Sequence, residues 1–167
     1  MWTFSMSQNE SAIISIGEVL PSGPDPGFWP WIRVYNPLGD LVGGGSQYGA
    51  LAAQVGFVAS LTGTYTVVAG SADSGYAAEG NYTLRLAKMP GTFVDESGGP
   101  LQNGGNHTGH LDLADLDMWS FTATQNDSAI IILAEIPVPS DQTDPGFWPW
   151  LRVWPTGRAG CRWQPVR

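Results

Sequence analysis

The sequence predicts an all-β protein, an antiparallel β-sandwich repeated in tandem, and three observations carry that prediction. Val, Ile, Thr, Trp, Tyr and Phe dominate the apolar segments, and several of these alternate with polar residues at the two-residue period of a strand. Charged residues are only 13% of the 167-residue chain while 22 Gly and 13 Pro interrupt it, which favours turns over helical surfaces. The heptad Asp25-Pro26-Gly27-Phe28-Trp29-Pro30-Trp31 returns unchanged as Asp144-Pro145-Gly146-Phe147-Trp148-Pro149-Trp150, so a unit of domain size begins a second time.

The match extends around the heptad. Ile32-Arg33-Val34 corresponds to Leu151-Arg152-Val153, Met1-Trp2-Thr3-Phe4 to Met118-Trp119-Ser120-Phe121, and Gln8-Asn9-Glu10-Ser11-Ala12-Ile13-Ile14 to Gln125-Asn126-Asp127-Ser128-Ala129-Ile130-Ile131. A short insertion between Glu135 and the second heptad marks a loop. On this alignment residues 1–88 form a module lacking its first strand and 89–108 a linker rich in Gly, Pro, Asn and acids. Residues 109–155 then form the truncated first half of a second copy, and 156–167 an atypical tail with the only cysteine, Cys161. Met1 aligns with the internal Met118, so the first copy reads as the interior of a longer protein and the lack of a leader says nothing about export.

Taken in order, Trp2, Phe4 and Met6 alternate with Thr3, Ser5 and Ser7 as a half-buried strand, and residues 8–11 form a turn. Ala12 to Ile16 is a β-branched strand, followed by a long Pro/Gly loop to Asp25. The heptad opens the next strand, with Phe28, Pro30, Ile32 and Val34 on one face and Trp29, Trp31, Arg33 and Tyr35 on the other. Its proline marks an edge strand or the first residues of a strand. Residues 37–40 are a turn, Leu41-Val42 a short strand, and Gly43-Gly44-Gly45 a flexible bend. Residues 50–61 favour strand over helix because of Gly56 and its β-branched neighbours. Residues 63–70 and 82–87 are strands separated by a polar Gly-Ser-Asp loop.

The formal net charge of −8, with Arg33, Arg85, Lys88 and Arg152 as the only basic residues before the tail, leaves too few cations to track phosphates and excludes nucleic acid as a partner. No apolar run approaches the roughly 18 to 20 residues of a membrane span. A single cysteine forms no intrachain disulfide. The two histidines, His107 and His110, fall in the linker and at the start of a strand, and no nucleophile elbow, zinc-protease helix or phosphate loop is present. The expectation is a non-catalytic chain.

The order of several short motifs resembles the bacterial pre-peptidase C-terminal domain. The residues that carry the resemblance are Asp115, Asp117, Trp119 and Phe121; the Gln-Asn-acid-Ser-Ala-Ile-Ile stretches; Trp31 to Tyr35; Asn36 to Gly39; Gly63 to Val68; and Asn81 to Leu86. The resemblance implies a jelly-roll-like sandwich of about eight strands, carried on secreted, extracellular bacterial proteins beside a catalytic or adhesive domain. It also implies a non-catalytic accessory, adhesive or spacer role, with other domains of the same longer chain as partners and calcium as the cofactor some members use. The tryptophan-rich heptad departs from the pattern.

Two groups of residues are candidate sites. Trp29, Trp31, Arg33 and Tyr35, repeated as Trp148, Trp150, Arg152 and Trp154, share one face of an extended strand and offer flat rings for a polysaccharide or protein surface. Burial of the rings beneath the preceding loop, with the arginines as braces, explains the same residues without a ligand. Asp112, Asp115 and Asp117 offer hard oxygen ligands of the kind calcium takes, and a charged edge strand that resists aggregation explains them equally. A carbohydrate-binding module and a fragment of a secreted hydrolase, its catalytic domain elsewhere, stand as alternatives to the accessory role.

Overall fold

The structure, a computed structural model, describes residues 1–19, 28–46, 50–75, 78–91, 97–137 and 148–154. Asp25 to Gly27, Asp144 to Phe147 and the tail beyond Trp154 lie outside the described residues. By its contacts the chain divides into two units, Met1–Phe121 and Thr122–Arg167.

The first unit is all-β: β1 (Trp2–Met6), β2 (Ser11–Val19), β3 (Pro30–Tyr35), β4 (Leu41–Ser46), β5 (Ala52–Val58), β6 (Gly63–Ser71), β7 (Asn81–Met89), β8 (Gly98–Pro100) and β9 (Met118–Ser120). Two antiparallel sheets, ordered β1-β6-β3-β4 and β5-β2-β7, pack as a sandwich, and β8 and β9 form a short parallel pair. The turn after β1 closes no hairpin. β1 pairs with β6 while β2 crosses to the other sheet between β5 and β7.

Alternation builds the core. Ile32 and Val34 of β3, Tyr65 and Val67 of β6, Ala53, Val55 and Phe57 of β5, and Ala12, Ile14 and Ile16 of β2 form one buried cluster. Phe4, Phe57 and Tyr65 pack ring on ring with centroids 5.6 to 6.4 Å apart. The Tyr65 hydroxyl is satisfied by donating to the carbonyl of Leu61 at 2.9 Å. Pro30 stands first in β3, as its missing N–H requires, although β3 is a central strand.

The three glycines read as a bend lie inside β4. A Cβ at Gly43 would press on Val55 at 2.6 Å, and one at Gly45 would collide with the Gln54 carbonyl, so this stretch needs glycine for its close approach to β5. The β3–β4 hairpin is closed by Asn36, whose Oδ1 accepts from the backbone N–H groups of Leu38 and Asp40, both at 2.9 Å. Gly39, with φ of 88°, supplies the left-handed residue of that turn.

β2 is buried on both faces. Its outward residues are covered in part by the segment before β9: the Ser15 hydroxyl donates to the Ala114 carbonyl, and Gly17 lies against Leu113 and Ala114. Leu116 is buried in the same segment. Residues 110–117, which align with nothing in the first copy, thus cover a sheet face of the first unit without joining it as a strand.

In the second unit the described residues, 122–137 and 148–154, hold no strand. One local feature repeats the first copy. In the turn after β1, Asn9 has φ of 72° and the Ser7 N–H donates to the Glu10 carboxylate at 2.7 Å. In its counterpart Asn126 has φ of 74° and the Thr124 N–H donates to Asp127, also at 2.7 Å. Asparagine tolerates this left-handed conformation, and the acid satisfies an N–H the turn leaves open.

Candidate functional site

The outer face of the β1-β6-β3-β4 sheet gathers the aromatic row of the first copy. Ile32 and Val34 point into the core, which turns Trp31, Arg33 and Tyr35 outward. Trp31 and Tyr35 are half-buried and Arg33 is exposed. Trp31 leans across the neighbouring strand: its indole N–H donates to the Ser71 carbonyl at 2.8 Å, and a Cβ on Gly70 would come within 2.8 Å of the ring. Glycine at position 70 is therefore the seat of the indole. The Arg33 guanidinium carbon stands 4.9 Å from the centroid of the Trp31 ring, within cation–π range. Trp29, also half-buried, precedes β3 and is tied to the end of β6 through Ala72, whose N–H donates to the Trp29 carbonyl at 2.7 Å.

The row presents a shallow ledge. Across β6 its neighbours are Thr66, Val68 and Gly70, and across β4 they are Leu41, Gly44 and Ser46. Gly70 and Ser46 beside Trp31, and Gly44 beside Arg33, leave room for the indole and the guanidinium on this face.

In the second unit Arg152 repeats the pairing, with its guanidinium carbon 4.9 Å from the Trp150 centroid. Trp148 is 87% exposed, Trp150 is exposed, and Trp154 is half-buried. The equivalent arginines thus meet the equivalent tryptophans at the same distance in both units.

The three aspartates are not brought together. Asp112 is exposed, with an oxygen 3.5 Å from His110 Nε2, and Asp117 lays its carboxylate against Gly109. Asp115 is buried, and its Oδ1 accepts from the Arg85 guanidinium at 2.9 Å and from the Leu116 N–H at 2.7 Å. Among the described residues no group of three His, Cys, Asp or Glu side chains is placed to hold a metal ion. His107 is engaged elsewhere: its Nε2 accepts from the Gln102 N–H at 3.1 Å, and its ring packs on Trp119.

Two features escaped the sequence reading. The Arg85–Asp115 pair joins β7 to the covering segment, and only its partner's position in the fold reveals it. An apolar cleft of about 170 Å³ opens between the edges of the two sheets, lined by Trp2, Phe4, Ile14, Val67, Leu84 and Leu86. At that edge the Trp2 indole N–H donates to the Tyr82 hydroxyl at 3.0 Å. No helix of the described residues is long and apolar enough to cross a membrane. Set against protein-family models, curated proteins and solved structures, the chain matches none.

Proposed function

We propose that the protein is a non-catalytic accessory module of a secreted, multi-modular bacterial protein, of the pre-peptidase C-terminal type, and that it binds carbohydrate on the outer face of its four-stranded sheet. The observation that carries this reading is the Trp31–Arg33–Tyr35 row, turned away from a core that Ile32 and Val34 already fill. Rigid aromatic side chains on a ledge give contact area at low entropy cost, which suits the flat faces of sugar rings.

Affinity electrophoresis of the intact chain through gels containing neutral and acidic polysaccharides tests the reading. At least one polymer should retard the protein, and Trp31→Ala together with Tyr35→Ala should weaken that retardation about tenfold while thermal unfolding stays cooperative. Free migration through every polymer would sink it. The hydrogen bond from Trp31 to Ser71 favours a second reading, a spacer in which the indole simply covers the sheet. On that reading Trp31→Ala lowers stability and changes no binding.

A further inference from the structure

We infer that the Arg33–Trp31 pair, and its counterpart Arg152–Trp150, recognises the carboxylate of an acidic sugar, so that the ligand is a uronic-acid-containing polysaccharide. This rests on the carbohydrate-binding reading and narrows it to a chemical class.

The argument begins with charge. The chain carries a formal net charge of −8, yet the residues flanking Arg33 on the outer sheet face are Thr66, Val68 and Gly70 on one side and Leu41, Gly44 and Ser46 on the other, none of them acidic. Arg85 and Lys88 each have a carboxylate within 3.2 Å, whereas among the described residues neither Arg33 nor Arg152 has one within salt-bridge distance. Both are exposed, and both stand 4.9 Å from a tryptophan ring. In so acidic a chain, two guanidiniums held on indoles without an acid partner are cations left available.

A guanidinium presents a planar fork that meets a carboxylate through two parallel N–H···O bonds, while a neutral sugar offers it no charge to complement. The neighbouring indole supplies the apolar surface on which a pyranose ring lies. The chain's own negative charge opposes indiscriminate adsorption of polyanions, so binding of an acidic polymer reports the local pair.

The intact protein is assayed by affinity electrophoresis against polygalacturonate, alginate and hyaluronate, each beside its carboxyl-reduced form. At least one acidic polymer should bind about tenfold more tightly than its reduced form. Arg33→Gln combined with Arg152→Gln should abolish that preference, Arg33→Lys combined with Arg152→Lys should retain part of it, and Lys88→Gln should leave it intact. The assignment is overturned if acidic and reduced polymers bind alike. It is equally overturned if the preference survives the double glutamine variant, or follows Arg158→Gln, Arg162→Gln and Arg167→Gln in the tail instead. Any of these leaves the carbohydrate reading standing. Binding to none of the polymers, acidic, reduced or neutral, removes both.

Discussion

The hydroxyl of Ser15 donates to the carbonyl of Ala114 at 2.6 Å, linking the middle of β2 to a segment 99 residues further along the chain. Beside it Gly17 lies so close to that segment that a Cβ would stand 2.7 Å from Ala114 Cβ and 2.9 Å from the Leu113 carbonyl oxygen. Gly17→Ala therefore forces the cover to shift, with an expected loss of about 1–3 kcal/mol. Urea unfolding measures the loss, and hydrogen exchange should show residues 112–117 opening more readily than in the wild type.

Arg85 and Asp115 make a different kind of link. The Asp115 side chain is fully buried while Arg85 is 31% exposed, so removing the arginine strands a carboxylate out of reach of water. Arg85→Met should cost about 3–5 kcal/mol. Arg85→Met with Asp115→Leu should cost much less than the two single changes together, and a double-mutant cycle on unfolding free energies checks this.

The turn after β1 predicts a pH dependence. Glu10 is held below the ordinary glutamate value of 4.5, chiefly by the hydrogen bond from the Ser7 N–H, which outweighs the opposing effect of desolvation, with Lys88 adding to the lowering. A depressed folded value means the stabilisation is complete above 4.5 and is lost as pH falls through the lower folded value. Glu10→Gln should flatten the acid limb of stability against pH. An unchanged slope in urea titrations between neutral and strongly acid pH would refute this.

Asn36 is buried, and its Oδ1 serves two backbone donors. Asn36→Ala leaves the N–H groups of Leu38 and Asp40 without that acceptor and should cost about 1–3 kcal/mol. Gly39→Ala, at φ of 88°, should cost roughly 1 kcal/mol. Thermal unfolding distinguishes the two by size.

Gly70→Ala tests the seat of the indole. The added Cβ would meet the fused edge of the Trp31 ring, which has no flexible end to yield. The expected outcome is a displaced ring, loss of the Trp31–Ser71 hydrogen bond and weakened polysaccharide retardation, with near-native unfolding because the core side of β6 is untouched.

Much of the sandwich was legible because alternation is local. The faces of β3 follow from Pro30, Ile32 and Val34 alone, whereas the nearly continuous apolar residues of β5 point to a strand without showing that Ala53, Val55 and Phe57 are its buried face. The glycines of β4 were misread as a bend, since a missing Cβ signals freedom or close approach equally, and only the position of Gln54 and Val55 decides between them. β8 has no signal in the sequence because Gly98-Gly99-Pro100 carries no apolar period, whereas β9 falls on Met118–Ser120, the stretch that aligns with the start of β1. That Trp31, Arg33 and Tyr35 share a face could be read from spacing. That Arg33 has no acid partner among the described residues while Asp115 has a basic one could not, because each depends on strands distant in the chain.

Two similar stretches in one chain can compete for the same place during folding. The covered face of β2 distinguishes the two stretches. Where β2 carries Ser15 and Gly17, the corresponding stretch of the second copy carries Ile132 and Ala134. Placed between β5 and β7, that stretch would drive a methyl into Ala114 and replace the Ser15 hydroxymethyl group with the sec-butyl group of isoleucine, which has no donor for the Ala114 carbonyl. The absent methyl at Gly17 and the short side chain of Ser15 thus fit β2, rather than the recurring stretch, to the face that Ala114 covers.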